Sequence, residues 1–304
     1  MKIITLAILL SGTFAVTAFA GSITRDQIEE SYKVVPAGTL TVDSDLASVE
    51  ITTSETDILR AKFTRDLKVS SAQEAEALRQ KLTFETHHTE AGVQVIVRWK
   101  GGRNDRDRRR VHLVCQIAMP RKYNLDLRTV GSARVGDLDG TVKALTRGGS
   151  LQFHNVAGPV TARTDGGSIT IGDVGGDVEA TSNGGSVSVG RANGKVIARA
   201  NGGSVTIDEA IDAIDAKAAG GSVAAYISKQ PRADSKLIAE AGNVELRLPE
   251  SIALNIDASC SAGRLSSDFS LYGRQDENRL KGAINGGGPL VMVRASAGNI
   301  YLRK

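Results

Sequence analysis

The sequence predicts an all-β fold, a parallel β-solenoid with about 18 residues and two strands per coil, plus one short N-terminal helix insertion. Three observations predict it. Six Gly-Ser pairs (Gly131-Ser132, Gly149-Ser150, Gly167-Ser168, Gly185-Ser186, Gly203-Ser204 and Gly221-Ser222) recur at one fixed interval without an insertion or deletion. Apolar and polar residues alternate in two short stretches of each repeat, and Gly, Asn and Asp fill the corners between them. An unbroken short period means that each repeat is one unit stacked on the next, because a single added residue would displace every later side chain from its column.

The first strand of each repeat is read from two apolar columns. One holds Ala133, Leu151, Ile169, Val187, Val205 and Val223, and the other, two residues on, holds Val135, Phe153, Ile171, Val189, Ile207 and Ala225. Between them lie Arg134, Gln152, Thr170, Ser188 and Thr206, so one face is buried. A third column, Leu138, Val156, Val174, Ala192 and Ala210, falls in the turn. The second strand follows from Val142, Val160, Val178, Val196 and Ile214 and, two residues later, Ala144, Ala162, Ala180, Ala198 and Ala216.

At the corners, Asp165-Gly166-Gly167, Asn183-Gly184-Gly185 and Asn201-Gly202-Gly203 are expected to supply residues that tolerate positive φ. Asn-Gly is also a hairpin signal, which raises an antiparallel meander as the alternative. A meander leaves an apolar face that nothing in the chain covers. Coiling lets the two strands of a repeat cover each other and stacks Ser on Ser and Asn on Asn, each coil advancing about 4.8 Å.

Outside the regular repeats, Ala47-Ser48-Val49-Glu50-Ile51 matches the Gly-Ser strand with Ala replacing Gly, so a first coil starts near Thr39. Ser71 and Glu74 form a capping box, and Ala75, Leu78 and Leu82 keep one apolar face, predicting a helix over 71–82. Val93, Val95 and Val97 mark a strand whose expected partner is 111–119, making the segment between them a hairpin tip. After Gly221 the spacing lengthens twice, around Tyr226 to Lys236 and around the Pro249 turn, before an insertion from Ser266 to Gly288. The organisation read from this is a leader over 1–20, an N-terminal extension over 21–38, and one solenoid domain over 39–304. That domain carries a helix and hairpin insertion at about 66–112 and an irregular cap at about 266–288.

The leader is read from Lys2, the apolar run Ile3 to Val16 and Ala18-Phe19-Ala20, an A-x-A site. The run is too short to span a bilayer and no second one follows, so the expected location is periplasmic or extracellular, with no transmembrane segment. Without the leader the chain has 37 basic and 34 acidic residues, a balance that implies no nucleic-acid partner. Cys115 and Cys260 both alternate with apolar neighbours and are expected to be buried free thiols.

No catalytic, cofactor or metal site is legible. His87, His88, His112 and His154 have no Cys or carboxylate at ligand spacing, and His87-His88 reads as an exposed loop pair. A calcium repeat needs an Asp in every turn, and Arg191 breaks the column Asp137, Asn155, Asp173, Arg191, Glu209. The rival functional class is a carbohydrate-active β-helix enzyme. Such sites need clustered carboxylates and aromatic platforms, whereas the outward columns here are small, hydroxyl-bearing or mixed in charge. One segment stands out. From Arg98 to Arg110 seven basic residues face only Asp105 and Asp107, a net +5 over that short span. Arg103, Arg106, Arg108, Arg109 and Arg110 form a candidate anion-binding loop, with an anionic envelope surface or an acidic glycan as the partner it fits.

The opening Gly38-Thr39-Leu40-Thr41-Val42, the Gly-Gly-Ser ladder and the closing Gly286-Gly287-Gly288-Pro289-Leu290 with Ala297-Gly298-Asn299-Ile300-Tyr301-Leu302 resemble a known family. It is the bacterial exported β-strand-repeat family catalogued provisionally as adhesins, a domain of unknown function. The resemblance implies an exported, non-enzymatic β-solenoid serving in adhesion or as a structural module, and it carries no shared binding residue.

The unbroken spacing generates a first prediction. One residue inserted between Val187 and Val189 should lower the melting temperature far more than one inserted between Gln275 and Leu280; equal losses in thermal melts would contradict stacked coils.

Overall fold

The computed structural model describes residues 23–102 and 105–304. The expected leader and Arg103 lie outside the described residues. The chain divides into two compact units that meet in sequence at Gly149 and Ser150.

The first unit starts with β1 (Ile23–Lys33), β2 (Thr39–Ser44), β3 (Ser48–Ser54) and β4 (Ile58–Lys68), then α1 (Ala72–Gln80). After the helix come β5 (Leu82–Thr89), β6 (Gly92–Trp99), β7 (Val111–Pro120), β8 (Asn124–Thr129), β9 (Ala133–Val135) and β10 (Val142–Thr146). Its strands follow the orders β1-β4-β7-β3-β9 and β5-β6-β2-β8-β10. β3 is parallel to β7 and β9, and β2 is parallel to β6 and β8. The first coil expected near Thr39 is therefore present, built from β2 and β3. β1, β4 and β5 add antiparallel strands outside the coils.

One expectation fails here. Residues 93–97 and 111–119 do not pair as a hairpin; β6 and β7 lie in different sheets and make a coil of their own. Val93 and Val95 stack on Leu40 and Val42, while Cys115 and Ile117 stack on Val49 and Ile51. Each apolar face thus gains a parallel neighbour, which a hairpin could not provide for both strands. The helix is capped as predicted, with Ser71 Oγ accepting from the Glu74 N–H, and it buries Ala75 and Leu78. Leu82 belongs to β5 rather than to the helix. The segment read as an extension carries β1, an edge strand.

The second unit contains β11 (Leu151–Phe153), β12 (Val160–Thr164), β13 (Ile169–Ile171), β14 (Val178–Ser182), β15 (Val187–Ala192), β16 (Val196–Ala200) and β17 (Val205–Ala210). β18 (Ile214–Ala218), β19 (Val223–Ile227), β20 (Ser235–Ala239), β21 (Val244–Arg247), β22 (Leu254–Cys260) and β23 (Leu265–Ser267) continue it. A hairpin of β24 (Tyr272–Gln275) and β25 (Arg279–Ile284) precedes β26 (Leu290–Ala295) and β27 (Ile300–Arg303). Odd-numbered strands from β11 to β21 stack in one sheet and even-numbered strands from β12 to β20 in the other, in parallel and in the predicted register. Val187, for instance, lies between Ile169 and Val205. The turn column extends the bonding, since Val156, Val174 and Ala192 form parallel bridges.

The last coil in the sequence is not the last in space. β26 lies between β20 and β22, and β27 between β21 and β23. The segment read as an irregular cap instead continues a sheet: β25 runs antiparallel to β22, and β24 to β25.

Side-chain oxygens bind the coils along the stacking direction. Ser150 Oγ accepts from the Ser168 N–H at 3.2 Å, Ser168 from Ser186 at 3.2 Å, Ser186 from Ser204 at 3.1 Å, and Ser204 from Ser222 at 3.1 Å. Ser222 Oγ then accepts from Asn243, whose own Oδ1 accepts from Asn299, and Asn299 Oδ1 accepts from Arg264. This ladder follows the spatial order of the coils, not their sequence order. The expected Asn stacking is present too, with Asn201 donating to Asn183 and Asn183 to Asp165, both at 2.9 Å.

The glycines of these corners act differently from the expectation. None of them adopts a positive φ among the described residues. They are small because the coils approach closely: a methyl group at Gly185 would sit 2.5 Å from the Ser168 hydroxyl, inside van der Waals contact. A column that the apolar pattern hid lies inside the corner. Thr129, Thr146, Thr164 and Ser182 are buried at the ends of β8, β10, β12 and β14. Thr146 Oγ1 donates to the Gly131 carbonyl at 2.7 Å and accepts from the Gly149 N–H. Ser182 Oγ likewise donates to Gly167 at 2.7 Å and accepts from Gly185 at 2.9 Å. The hydroxyls of Thr146 and Ser182 each tie their own corner to the previous coil.

Both cysteines are buried and unpaired. Burial pushes the Cys115 thiol up to about 12 and raises that of Cys260, so neither forms a thiolate readily near neutral pH.

Removing one corner hydroxyl takes the bonding partner from a half-buried N–H and a half-buried carbonyl. Ser182→Ala should therefore cost about 1–3 kcal/mol in chemical denaturation. A loss below about 0.3 kcal/mol would mean that the hydroxyl does not bind the coils.

Candidate functional site

The basic segment is an enlarged coil corner. In the neighbouring coil the chain passes from β2 to β3 through Asp45, Leu46 and Ala47; from β6 to β7 it takes the longer path from Lys100 to Arg110. Its described end is one 3₁₀ turn, Arg106–Arg110, capped by Asp105, whose Oδ1 accepts from the Asp107 N–H at 3.0 Å.

Carboxylates, backbone carbonyls and one lysine from elsewhere in the chain hold this corner. Arg98, at the end of β6, pairs with Asp43 of β2 at 2.5 Å. Arg108 donates to the Asp45 carbonyl, so the basic corner is bonded onto the acidic corner of the adjacent coil. Arg110 reaches Glu74 in the first turn of α1 at 2.8 Å, Asp107 at 3.4 Å and the Lys68 carbonyl at 3.0 Å. Lys81, just after the helix, closes the turn from the far side by pairing with Asp105 at 2.9 Å and Asp107 at 2.7 Å. Hydrogen bonding to Lys81, foremost, holds both aspartate carboxyls below their usual range, and the Ser70 N–H and Arg110 do the same for Glu74.

Much of the +5 counted from sequence is thus satisfied inside the fold. Of the five candidate arginines, Arg108 and Arg110 are half-buried structural donors and Arg103 lies outside the described residues. Arg106 and Arg109 are exposed and make no ion pair among the described residues. Lys68 and Lys100 are exposed as well. Lys68 and Lys100 are tied to this region through their backbones, the Lys68 carbonyl accepting from Arg110 and the Lys100 N–H donating to the Lys81 carbonyl. Sequence reasoning missed Lys68 and Lys81, which are far from the loop in the chain and near it only through the stacking of β4, α1 and β6.

Elsewhere the outer surface is mixed in charge. A shallow depression of about 310 Å³ on the sheet of β1, β4, β7 and β3 is lined by Glu29, Glu50, Arg60, Lys62 and Gln116, with no aromatic side chain. His87 and His88 are exposed, as expected, but on the edge strand β5 rather than in a loop; His87 lies 3.7 Å from Glu85. Among the described residues no three His, Cys, Asp or Glu side chains converge as a metal site, and no helix is long and apolar enough to cross a membrane.

A model of the Toastrack DUF4097 family matches residues 38–303. The chain belongs to the Toastrack DUF4097 family. The Toastrack match starts at Gly38, just before β2, and so leaves β1 outside it. Similar solved structures include provisionally named adhesins from Parabacteroides merdae and Bacteroides fragilis. The first is 13% identical over 94% of this chain and 98% of that one, with a TM-score of 0.43. The second is 10% identical over 91% and 97%, with a TM-score of 0.33. A protein from Parabacteroides distasonis provisionally named as lipid-binding is 10% identical over 92% and 97%, with a TM-score of 0.37. No curated protein matches the chain.

Proposed function

We propose that this Toastrack chain is a non-enzymatic, exported interaction module whose stacked coils hold the basic corner against a polyanionic envelope surface, such as lipid head groups or acidic glycans. The observation that carries this reading is the split within the corner. Arg98, Arg108 and Arg110 are consumed in fixing it, and the fixed corner displays Arg106 and Arg109 to solvent, with Lys68 and Lys100 exposed on the segments bonded to it. A loop already fixed by its neighbours loses little backbone freedom when the cations it displays meet an anion. Charge distribution supports the same reading. Residues 150–304 carry 16 basic and 16 acidic side chains, so the positive excess of the leader-free chain lies entirely before them.

The test separates display from structure. Arg106→Ser with Arg109→Ser should weaken binding to vesicles containing anionic phospholipid, or to an acidic glycan, roughly tenfold or more, since each cation near an anionic surface is worth about 1 kcal/mol. The melting temperature should stay unchanged, whereas Arg110→Ser should lower it. Binding of the parent should fall as salt rises, because the Debye length shrinks from about 10 Å at 0.1 M to about 3 Å at 1 M. Undiminished binding in the double variant would remove the corner as the contact, and product release from a glycan panel would favour the carbohydrate-active enzyme instead.

A further inference from the structure

β1 is an unusual strand. Its 11 residues pair with β4 in continuous antiparallel register, with no bulge and no proline, and not one of them is buried. It adds nothing to the core that β4 seals with Leu59, Ala61, Phe63 and Leu67. Among the described residues nothing pairs with the outer side of β1, so what it adds is an edge, and a long open edge without bulge or proline is a template for a further strand.

The register tells which backbone groups are open. The Val34 N–H donates to the Asp57 carbonyl at 2.8 Å, and this pair continues the β1 to β4 register. Hydrogen-bonded pairs alternate along an antiparallel ladder, so the even-numbered residues of β1 bond to β4 and the odd-numbered ones turn N–H and C=O outward. Any antiparallel partner must bond to Arg25, Gln27, Glu29 and their odd-numbered neighbours.

We infer that the partner is a second copy of this chain, joined β1 to β1 around a two-fold axis at Gln27. In that register Arg25 lies opposite Glu29 of the second copy, and Glu29 opposite its Arg25, on the same face and in hydrogen-bonded pairs. The other face sets Asp26 against Ile28 and Thr24 against Glu30, with no like charges across. Neighbouring registers are repulsive. An axis at Asp26 sets that carboxylate against itself, one at Ile28 sets Asp26 against Glu30, and one at Glu29 sets Arg25 against Lys33 and Glu29 against itself. Like charges directly opposite destabilise a strand pair. The groups required are accessible: the Arg25 side chain is 64% exposed while bonded to Asp66, and Glu29 has no ion pair among the described residues. An isologous, self-complementary contact of this kind closes as a dimer and does not propagate.

The experiment uses the chain from residue 21 onward, in sedimentation and light scattering across concentrations. The parent should dimerise. Arg25→Glu and Glu29→Arg should each weaken the dimer at least tenfold, and the two together should restore it, since the pair is then reversed but still complementary. Gln27→Cys should form a covalent dimer on mild oxidation, because hydrogen-bonded partners lie about 5.5 Å apart at Cα, within disulfide reach. Ile28→Cys should not, and the buried Cys115 and Cys260 give no background. Thermal melts of each variant confirm that it folds. A parent that stays monomeric at every concentration, or a dimer indifferent to both charge reversals and not crosslinked by the Gln27→Cys thiol, would overturn the proposal.

Discussion

Coils stacked in register must give the backbone donors at their corners an acceptor on the neighbouring coil, and in the unit Ser150–Lys304 this is done by one serine oxygen per coil accepting from the backbone of the next. The bond from Ser186 Oγ to the Ser204 N–H reaches across one strand spacing. It forms only if the two serines are stacked, hence only if the chain between them has the same length in every regular coil. The strict interval between successive Gly-Ser pairs follows from that geometry. So does the glycine before each serine, because a side chain at Gly185 would strike the hydroxyl of Ser168. Buried polar groups left unbonded are costly, so the corner column of Thr146, Thr164 and Ser182 answers the same demand from the inside.

Most of the coil was legible in the sequence because its signal is repetition. The Val and Ile columns, the two strands per coil and the stacking of Ser on Ser needed no tertiary information. The role of the corner glycines was misread, since a Gly chosen for positive φ and one chosen for close approach look identical in a sequence. The hydroxyl column at Thr129, Thr146, Thr164 and Ser182 left a usable trace, a polar residue recurring two positions after the alanine column on the same face. Coil order left none. The corners at Asn243, Gly263 and Asn299 carry equivalent patterns, and it takes the strand pairing and the hydrogen bonds running from Asn243 to Asn299 and on to Arg264 to reveal that the final coil is inserted between two earlier ones.

The basic corner shows why a charge count is a weak guide to a surface. Arg98, Arg108 and Arg110 belong to the dense cationic run, yet Asp43, the Asp45 carbonyl and Glu74 absorb them. Lys81 does the reverse, entering the cluster from the helix to neutralise Asp105 and Asp107. Neither set of partners is close in sequence. The loop was readable as a candidate anion contact from composition, but dividing its arginines into anchors and displayed groups required the parallel stacking of β6 on β2 and of β7 on β3, which makes the loop a corner between two sheets and not a hairpin tip.

Amide hydrogen exchange at the serine corners tests axial bonding most directly, because the ladder has a direction. Ser186 Oγ accepts from Ser204, while the Ser186 N–H donates to Ser168. In Ser186→Ala the Ser204 amide should lose protection, and the Ser168 amide, whose acceptor is Ser150, should keep it. Unchanged exchange at Ser204, or equal acceleration at Ser168 and Ser204, would contradict coils bound to one another through their serine oxygens.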